Sequence, residues 1–100
     1  MAQAIIWEFD GVDRADYDAV NEKLGIDPQG GRGWPEGLIF HVGAAKPGGW
    51  VVFEVWASKD AQERFLNDRL RPALEAAGLT TPPTRVEWLD VAAYASPGSQ

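Results

Sequence analysis

Residues 50–65 read WVVFEVWASKDAQERF, and this stretch decides the fold class. Its first half, residues 50–56, is apolar, aromatic and β-branched, which is typical of a strand. Ser58 then offers a preferred helix N-cap, with Asp60 and Glu63 following in the first helical turn. The stretch therefore predicts a strand that passes almost directly into a helix.

The sequence on either side predicts one more helix and three more strands. Asp13 is suited to cap this helix, which would run over residues 14–24, and Gly25 is suited to end it. Apolar runs bounded by turn residues predict the other strands over residues 4–9, 38–44 and 86–94. Pro72 lies inside the second helical pattern and predicts a kink, or a break near Arg71.

The resulting order, βαββαβ, is that of the ferredoxin-like split βαβ unit, an α+β fold. We expect a four-stranded antiparallel sheet with both helices on one face. The other sheet face would then be bare, so it is either polar or covered by a partner.

Composition places the chain among ordinary soluble globular domains, with 100 residues, 45% hydrophobic and 24% charged. We assign residues 1–95 to a single domain and residues 96–100 to a flexible tail. Cysteine is absent, which excludes disulfides and thiol chemistry. A net charge of -6 without a basic stripe argues against nucleic acid and anionic membranes as partners. The first four residues do not resemble a signal peptide, so we expect a cytoplasmic protein.

The turn at Pro47 and Gly48 sets the register of the hairpin formed by the second and third strands. That register places His41, the only histidine, opposite Glu54, and Ile39 opposite Trp56. A carboxylate beside an imidazole suits acid–base chemistry, but it also suits a purely structural pair. Alternation gives one apolar hairpin face: Leu38, Phe40, Val42, Val51, Phe53 and Val55. The other face carries Ile39, His41, Gly43, Trp50, Val52, Glu54 and Trp56.

Residues 53–65, FEVWASKDAQERF, resemble the antibiotic biosynthesis monooxygenase-like family of dimeric α+β barrels. Members typically have a strand ending in Glu-x-aromatic, followed by a short Ser-containing step into a helix, and the element order and chain length also match. The resemblance implies a homodimer with two sheets packed face to face, and a pocket in each subunit between sheet and helices. The resemblance also implies that Glu54 faces the pocket, together with His41, Trp50 and Trp56. The apolar hairpin face would then form the core of the dimer interface.

One position departs from the family pattern. Many members carry a histidine on the second helix, eleven residues after the strand glutamate, where this chain has Phe65. Haem-degrading relatives use that histidine as an iron ligand, so Phe65 counts against haem. His41 with Glu8 and Glu54 is also a poor set of metal ligands. The resemblance to cofactor-free members, which rely on Trp, Asn or Tyr, therefore implies that neither metal nor cofactor is needed.

The expected function is that of a small cofactor-independent monooxygenase, or a related cyclase or isomerase, acting on an aromatic or polyketide-like molecule. His41 and Glu54 would remove a proton from the substrate. The substrate-binding candidates are Trp50, Trp56, Tyr17, Phe65, Glu8 and Trp34, the last as a lid carried by the Gly-rich loop of residues 25–37. An alternative is a non-catalytic homodimer that binds a small ligand or serves as an accessory protein. A third is a structural dimer whose pocket is filled by its own tryptophans.

Overall fold

Four strands and one layer of helices make up the chain in a computed structural model, which describes residues 1–95 and residue 97. The elements are β1 (Gln3–Asp10), α1 (Arg14–Leu24), β2 (Leu38–Lys46), β3 (Gly49–Trp56), α2 (Lys59–Phe65), a π-helical turn (Leu66–Leu70), α3 (Arg71–Ala76) and β4 (Arg85–Asp90). The sheet is antiparallel with the strand order β2-β3-β1-β4. The predicted ferredoxin-like α+β fold is confirmed. The predicted tail, residues 96–100, lies outside the described residues except for residue 97.

Both helix starts form as the sequence predicts. The Asp13 carboxylate accepts a hydrogen bond from the Asp16 backbone N–H, and Asp16 accepts one from the Asp13 N–H in return. The Ser58 hydroxyl accepts a hydrogen bond from the Ala61 N–H at 3.1 Å. These caps satisfy N–H groups that the first helical turn leaves without partners. Gly25 ends α1 with a φ of 74°, a conformation that favours glycine.

The β2–β3 hairpin has the predicted register at its turn but not at its far end. Gly48 takes a φ of 74°, and His41 lies opposite Glu54. The prediction that Ile39 faces Trp56 was wrong, because a bulge shifts the register and Leu38 faces Trp56 instead. A bulge adds one residue to a strand and so reverses the face of the residues beyond it. Leu38 consequently joins the helix-side core, while Ile39 is exposed.

The discontinuity predicted at Pro72 takes the form of a π-helical turn. The backbone N–H of Arg71 donates to the carbonyl of Leu66, five residues back, rather than four. Proline has no N–H to donate and its ring crowds the carbonyl four residues before it, so a wider turn accommodates it. The helical direction continues into α3.

The core lies between the sheet and the helices. Five buried residues form its centre: Ile5, Ile26, Trp56, Ala61 and Phe65. Strand β4 ends at Asp90, short of the predicted residue 94, and residues 91–95 continue without regular structure. None of the helices in the described part of the chain is long and apolar enough to cross a membrane.

The opposite sheet face, here called the outer face, is formed by the outward-pointing residues of all four strands. One end of it is apolar, and exposed hydrophobic side chains there include Phe40, Val42 and Leu89. The other end is charged, with Lys46 bonded to Glu8 and Asp10, and Arg85 bonded to Glu8. The hairpin's part of this face carries no charge before Lys46, as the sequence predicts.

Candidate functional site

A cavity of about 600 Å³ lies between the sheet and the helical layer. Its size is in the range of small-molecule binding sites, which are mostly apolar with a few placed polar groups. Its aromatic lining comes from Trp7, Phe9, Tyr17, Trp34, Trp50 and Phe65. Aliphatic side chains of the π-helical turn and α3, such as Leu66, Leu70 and Leu74, close the opposite wall.

Three cavity residues form a continuous chain of hydrogen bonds, here called the Tyr17–His41–Glu54 chain. The Tyr17 Oη lies 2.5 Å from His41 Nε2, and His41 Nδ1 lies 2.7 Å from Glu54 Oε2. Trp56 Nε1–H donates to the other carboxylate oxygen, Glu54 Oε1, at 3.0 Å. One carboxylate thus anchors an imidazole, which in turn meets a phenol at the cavity wall.

The hydrogen-bond pattern assigns a tautomer to the neutral imidazole. Trp56 has only a donor, so Glu54 accepts from it and, as a carboxylate, accepts from His41 as well. The proton of neutral His41 then resides on Nδ1, and Nε2 is free to accept the Tyr17 O–H. Glu54 is only 8% exposed, so these two hydrogen bonds replace the water that would otherwise solvate it.

Tyr17 reaches His41 because β2 has no side chain at Gly43. A Cβ built at Gly43 would lie 2.7 Å from Tyr17 Cζ and 2.8 Å from its hydroxyl oxygen. Trp50 packs against the Tyr17 ring, with 4.9 Å between centroids. Burial raises the pKa of the Tyr17 phenol above its usual range, because the anion would lose solvation there.

Trp34 covers the same site from the 25–37 loop. Its ring centroid lies 4.8 Å from that of His41. The loop is tied to the helical layer by Arg69, whose guanidinium donates to the carbonyls of Leu24 at 2.8 Å and Gly33 at 3.4 Å. The same guanidinium lies over the Phe65 ring. Arg69 therefore fixes the residue that precedes Trp34.

Six of the eight predicted site residues line the cavity: His41, Glu54, Trp50, Tyr17, Phe65 and Trp34. Trp56 does not, because it is fully buried in the core and reaches the site only through its hydrogen bond to Glu54. Glu8 does not either. It alternates with Trp7 and Phe9 along β1, so it lies on the outer face. There, hydrogen bonds from Arg85 and then Lys46 hold the pKa of Glu8 below its usual value.

Sequence reasoning missed two features of the site. Arg69, which anchors the 25–37 loop, was not among the predicted site residues. The contact of Tyr17 with His41 was also missed, because that contact depends on how α1 docks on the sheet. The absence of side-chain volume at Gly43 was the one local signal that another residue approaches β2. Within residues 1–95 and 97, no group of three or more His, Asp or Glu side chains is placed to hold a metal ion.

Comparison with known proteins finds no matching family model and no matching curated protein. Solved structures do match. One is a protein from Chloroflexus aurantiacus J-10-fl provisionally named an antibiotic biosynthesis monooxygenase, with 17% identity, a TM-score of 0.65, and coverage of 95% of this chain and 98% of that one. Another is Rv0793 from Mycobacterium tuberculosis, with 19% identity, a TM-score of 0.67, and coverage of 96% and 100%.

A third match is SnoaB, a cofactor-independent oxygenase from Streptomyces nogalater. It has 16% identity and a TM-score of 0.60, and the match covers 93% of this chain and 95% of that one. At such identities the likeness concerns the fold, and it extends over nearly the whole of each chain. The resemblance read from residues 53–65 is confirmed at that level: this chain has the fold of the antibiotic biosynthesis monooxygenase-like proteins.

Proposed function

We propose that this protein is a small monooxygenase, or a related cyclase or isomerase, that acts on an aromatic or polyketide-like molecule without a resident cofactor. The observation that carries the proposal is the Tyr17–His41–Glu54 chain in the wall of an aromatic cavity. A flat substrate would stack between Trp34 and Trp50, with its acidic C–H or O–H group at Tyr17. The match to a cofactor-independent oxygenase supports this assignment through the fold.

The chain provides a route for removing a proton from the substrate. Tyr17 Oη accepts the substrate proton as its own proton moves to His41 Nε2, so the phenol stays neutral. His41 becomes an imidazolium, which the carboxylate of Glu54 stabilises across 2.7 Å. In this proposal Tyr17 takes part in proton transfer as well as in substrate binding, since its phenol would lie between His41 Nε2 and the substrate.

The resulting substrate anion is rich in electrons and reacts with dioxygen. It transfers one electron to O₂, and the radical pair combines to a peroxide anion, which recovers the proton held by His41. Loss of water from that hydroperoxide gives a carbonyl group, so a methylene plus O₂ yields a ketone plus H₂O. Trp34 and Trp50 would exclude bulk water during these steps.

The test uses anthrone as the probe substrate, with dioxygen uptake and anthraquinone formation as the measurements. We expect His41→Ala and Glu54→Gln to lower the rate by about 100-fold or more, the range of general acid–base catalysis. Glu63→Gln is the matched control, because Glu63 is exposed on α2, away from the cavity lining and the outer face. Full activity of the His41 and Glu54 variants would contradict the proposal.

A second candidate is a ligand-binding protein without catalysis, which the apolar Phe65 in the cavity wall favours. The apolar wall retains a flat molecule whether or not chemistry follows. Binding of anthrone without dioxygen uptake, in a protein whose Glu54→Gln variant binds equally well, would favour this candidate over the oxygenase.

The proposal includes a homodimer formed through the outer face. Its apolar end exposes 42% of Phe40, 39% of Val42 and 41% of Leu89, and no helix within residues 1–95 covers it. Exposed apolar surface of this kind is typical of protein interfaces. The charged end, where Glu8 bonds to Lys46 and Arg85, would form the polar rim.

A further inference from the structure

We propose that Tyr17 is a redox-active residue, which gives one electron to an organic peroxyl radical in the cavity while its proton passes to His41. This inference goes beyond the proposed function, because it concerns an oxidation of the protein itself. It rests on the geometry of the phenol and the imidazole.

A phenol gives up an electron readily only when its proton can leave at the same moment, since the oxidised phenol is a very strong acid. Tyr17 has a proton acceptor in place, because its Oη lies 2.5 Å from His41 Nε2. The acceptor is also prepared for the added charge. His41 Nδ1 is bonded to Glu54 Oε2 at 2.7 Å, so the imidazolium that forms is paired with a buried carboxylate.

Tyr17 is distinguished in this respect from Tyr94, the other tyrosine of the chain. Tyr94 lies in the irregular segment after β4 and is 58% exposed. His41 is the only histidine, and its Nε2 is already bonded to Tyr17. Tyr94 therefore has no imidazole to take its proton.

Neighbouring aromatic rings connect Tyr17 to the rest of the cavity. The centroid of Trp50 lies 4.9 Å from that of Tyr17, and the centroid of Trp34 lies 4.8 Å from that of His41. A tryptophan that has lost an electron is thus in contact with the Tyr17–His41–Glu54 chain. Tyr17 then gives it an electron, because loss of the phenol proton to His41 leaves a neutral tyrosyl radical.

The step balances as a net hydrogen-atom transfer. The peroxyl radical ROO• takes one electron and becomes ROO⁻, while the Tyr17 O–H bond breaks and its proton bonds to His41 Nε2. The imidazolium then gives a proton to the peroxide. The products are a hydroperoxide ROOH, a neutral Tyr17 radical and neutral His41, so the peroxyl radical is reduced by one electron and Tyr17 is oxidised by one.

The experiment needs no substrate, so its outcome is independent of the proposed oxygenase activity. The whole protein is photo-oxidised with tris(bipyridine)ruthenium(II) and persulfate, and the radical is trapped by freezing and identified by electron paramagnetic resonance. We expect a tyrosyl signal in the unaltered protein and in Tyr94→Phe, and its loss in Tyr17→Phe. A signal that survives Tyr17→Phe, or one that resides on tryptophan alone, would overturn the proposal.

The role of His41 is tested by the rate at which the tyrosyl radical forms after a laser flash. We expect His41→Phe to slow it by about tenfold or more, since a lost hydrogen bond alone accounts for about that factor. His41→Gln retains a polar side chain and covers the case in which the phenylalanine variant does not fold. An unchanged rate in a folded His41 variant would show that the proton leaves by another route, which contradicts the inference.

Discussion

Gly43 is the residue whose missing side chain makes the Tyr17–His41 contact possible. We expect Gly43→Ala to push the Tyr17 ring away, because the new Cβ would lie 2.7 Å from Tyr17 Cζ. Overpacking of this kind costs about 1–3 kcal/mol of stability. Denaturant unfolding measures that cost, and nitrogen chemical shifts of His41 report the loss of the bond at Nε2. Ala45→Ser, at an exposed position of the same strand, is the control.

An unchanged His41 spectrum in folded Gly43→Ala would contradict this account of the contact. It would mean that the Tyr17–His41 bond persists although a methyl group has been added at position 43.

The Tyr17 phenol gives a pH dependence of stability whose sign follows from burial. Because its folded pKa is raised above the unfolded value of about 10, the folded and unfolded states bind the same protons below that pH. As the pH rises further, the unfolded state loses its proton first, so the free energy of unfolding falls. We expect urea midpoints to drop as the pH rises above about 10, and to drop less in Tyr17→Phe. An equal drop in both proteins would contradict the burial argument.

At this scale, the His41–Glu54 pair could be predicted, because a two-residue turn fixes which residues of a hairpin face each other. The Tyr17 contact could not. It links residues 24 positions apart on different elements, and their meeting depends on how α1 is rotated about its own axis against the sheet.

Among the elements, the π-helical turn is the one that connects the helical layer to the cavity lid. Arg69 lies in this turn and donates hydrogen bonds to two carbonyls. One is that of Leu24, just before the 25–37 loop, and the other is that of Gly33, within it. We expect Arg69→Ala to loosen the loop and expose Trp34, at a cost of about 1.5–3 kcal/mol for hydrogen bonds to a charged group. Acrylamide quenching of tryptophan fluorescence measures the exposure.

The contribution of Trp34 to the quenched fluorescence is obtained by repeating the experiment in Trp34→Phe, with and without Arg69→Ala. Arg64→Ala is the matched control, since Arg64 is exposed on α2 and takes no part in the loop. Equal quenching in Arg69→Ala and Arg64→Ala would contradict the inference that Arg69 holds the 25–37 loop in place.

The start of β2 near Ile39 shows that alternation of side chains alone does not predict which residue is buried. Residues 38–44 alternate well enough to predict a strand, yet the bulge moves Leu38 into the core and Ile39 to the surface. Both side chains are aliphatic and β-compatible, so nothing in their chemistry indicates which of them is buried. The Trp56 ring, which Leu38 faces, decides between them.

On the scale of the whole molecule, the outer face predicts the assembly state. We expect the protein to be a dimer by light scattering, and Val42→Glu to make it a monomer, because a charge would be buried without a partner. Val86→Glu is the control. Val86 is more exposed than Val42, at 49% against 39%, but it pairs with Trp7, so it lies on the helix-bearing side of the sheet. A dimer that survives Val42→Glu would exclude the apolar end of the outer face as its interface.

The order of elements across the molecule follows from local signals that agree with one another. Caps at Asp13 and Ser58, the turn at Gly48 and the alternation in β3 each predict one boundary, and together they leave only one common arrangement of four strands and two helical segments. The cavity could not be predicted from such local signals, because its volume depends on how both helical segments pack against the sheet.

The π-helical turn also absorbs one residue of chain length. A π turn holds one residue more than the α-helical turn that it replaces, so the helical faces before and after it stay aligned. Deleting Asn67, which is exposed, would therefore convert this segment to α-helical turns and leave Leu74 in the cavity wall that it now lines. The same deletion in a regular α-helix would rotate every later helical residue by about 100° about the axis. The position of an inserted or deleted codon thus decides whether the binding site keeps its shape, although every cavity-lining residue type stays the same.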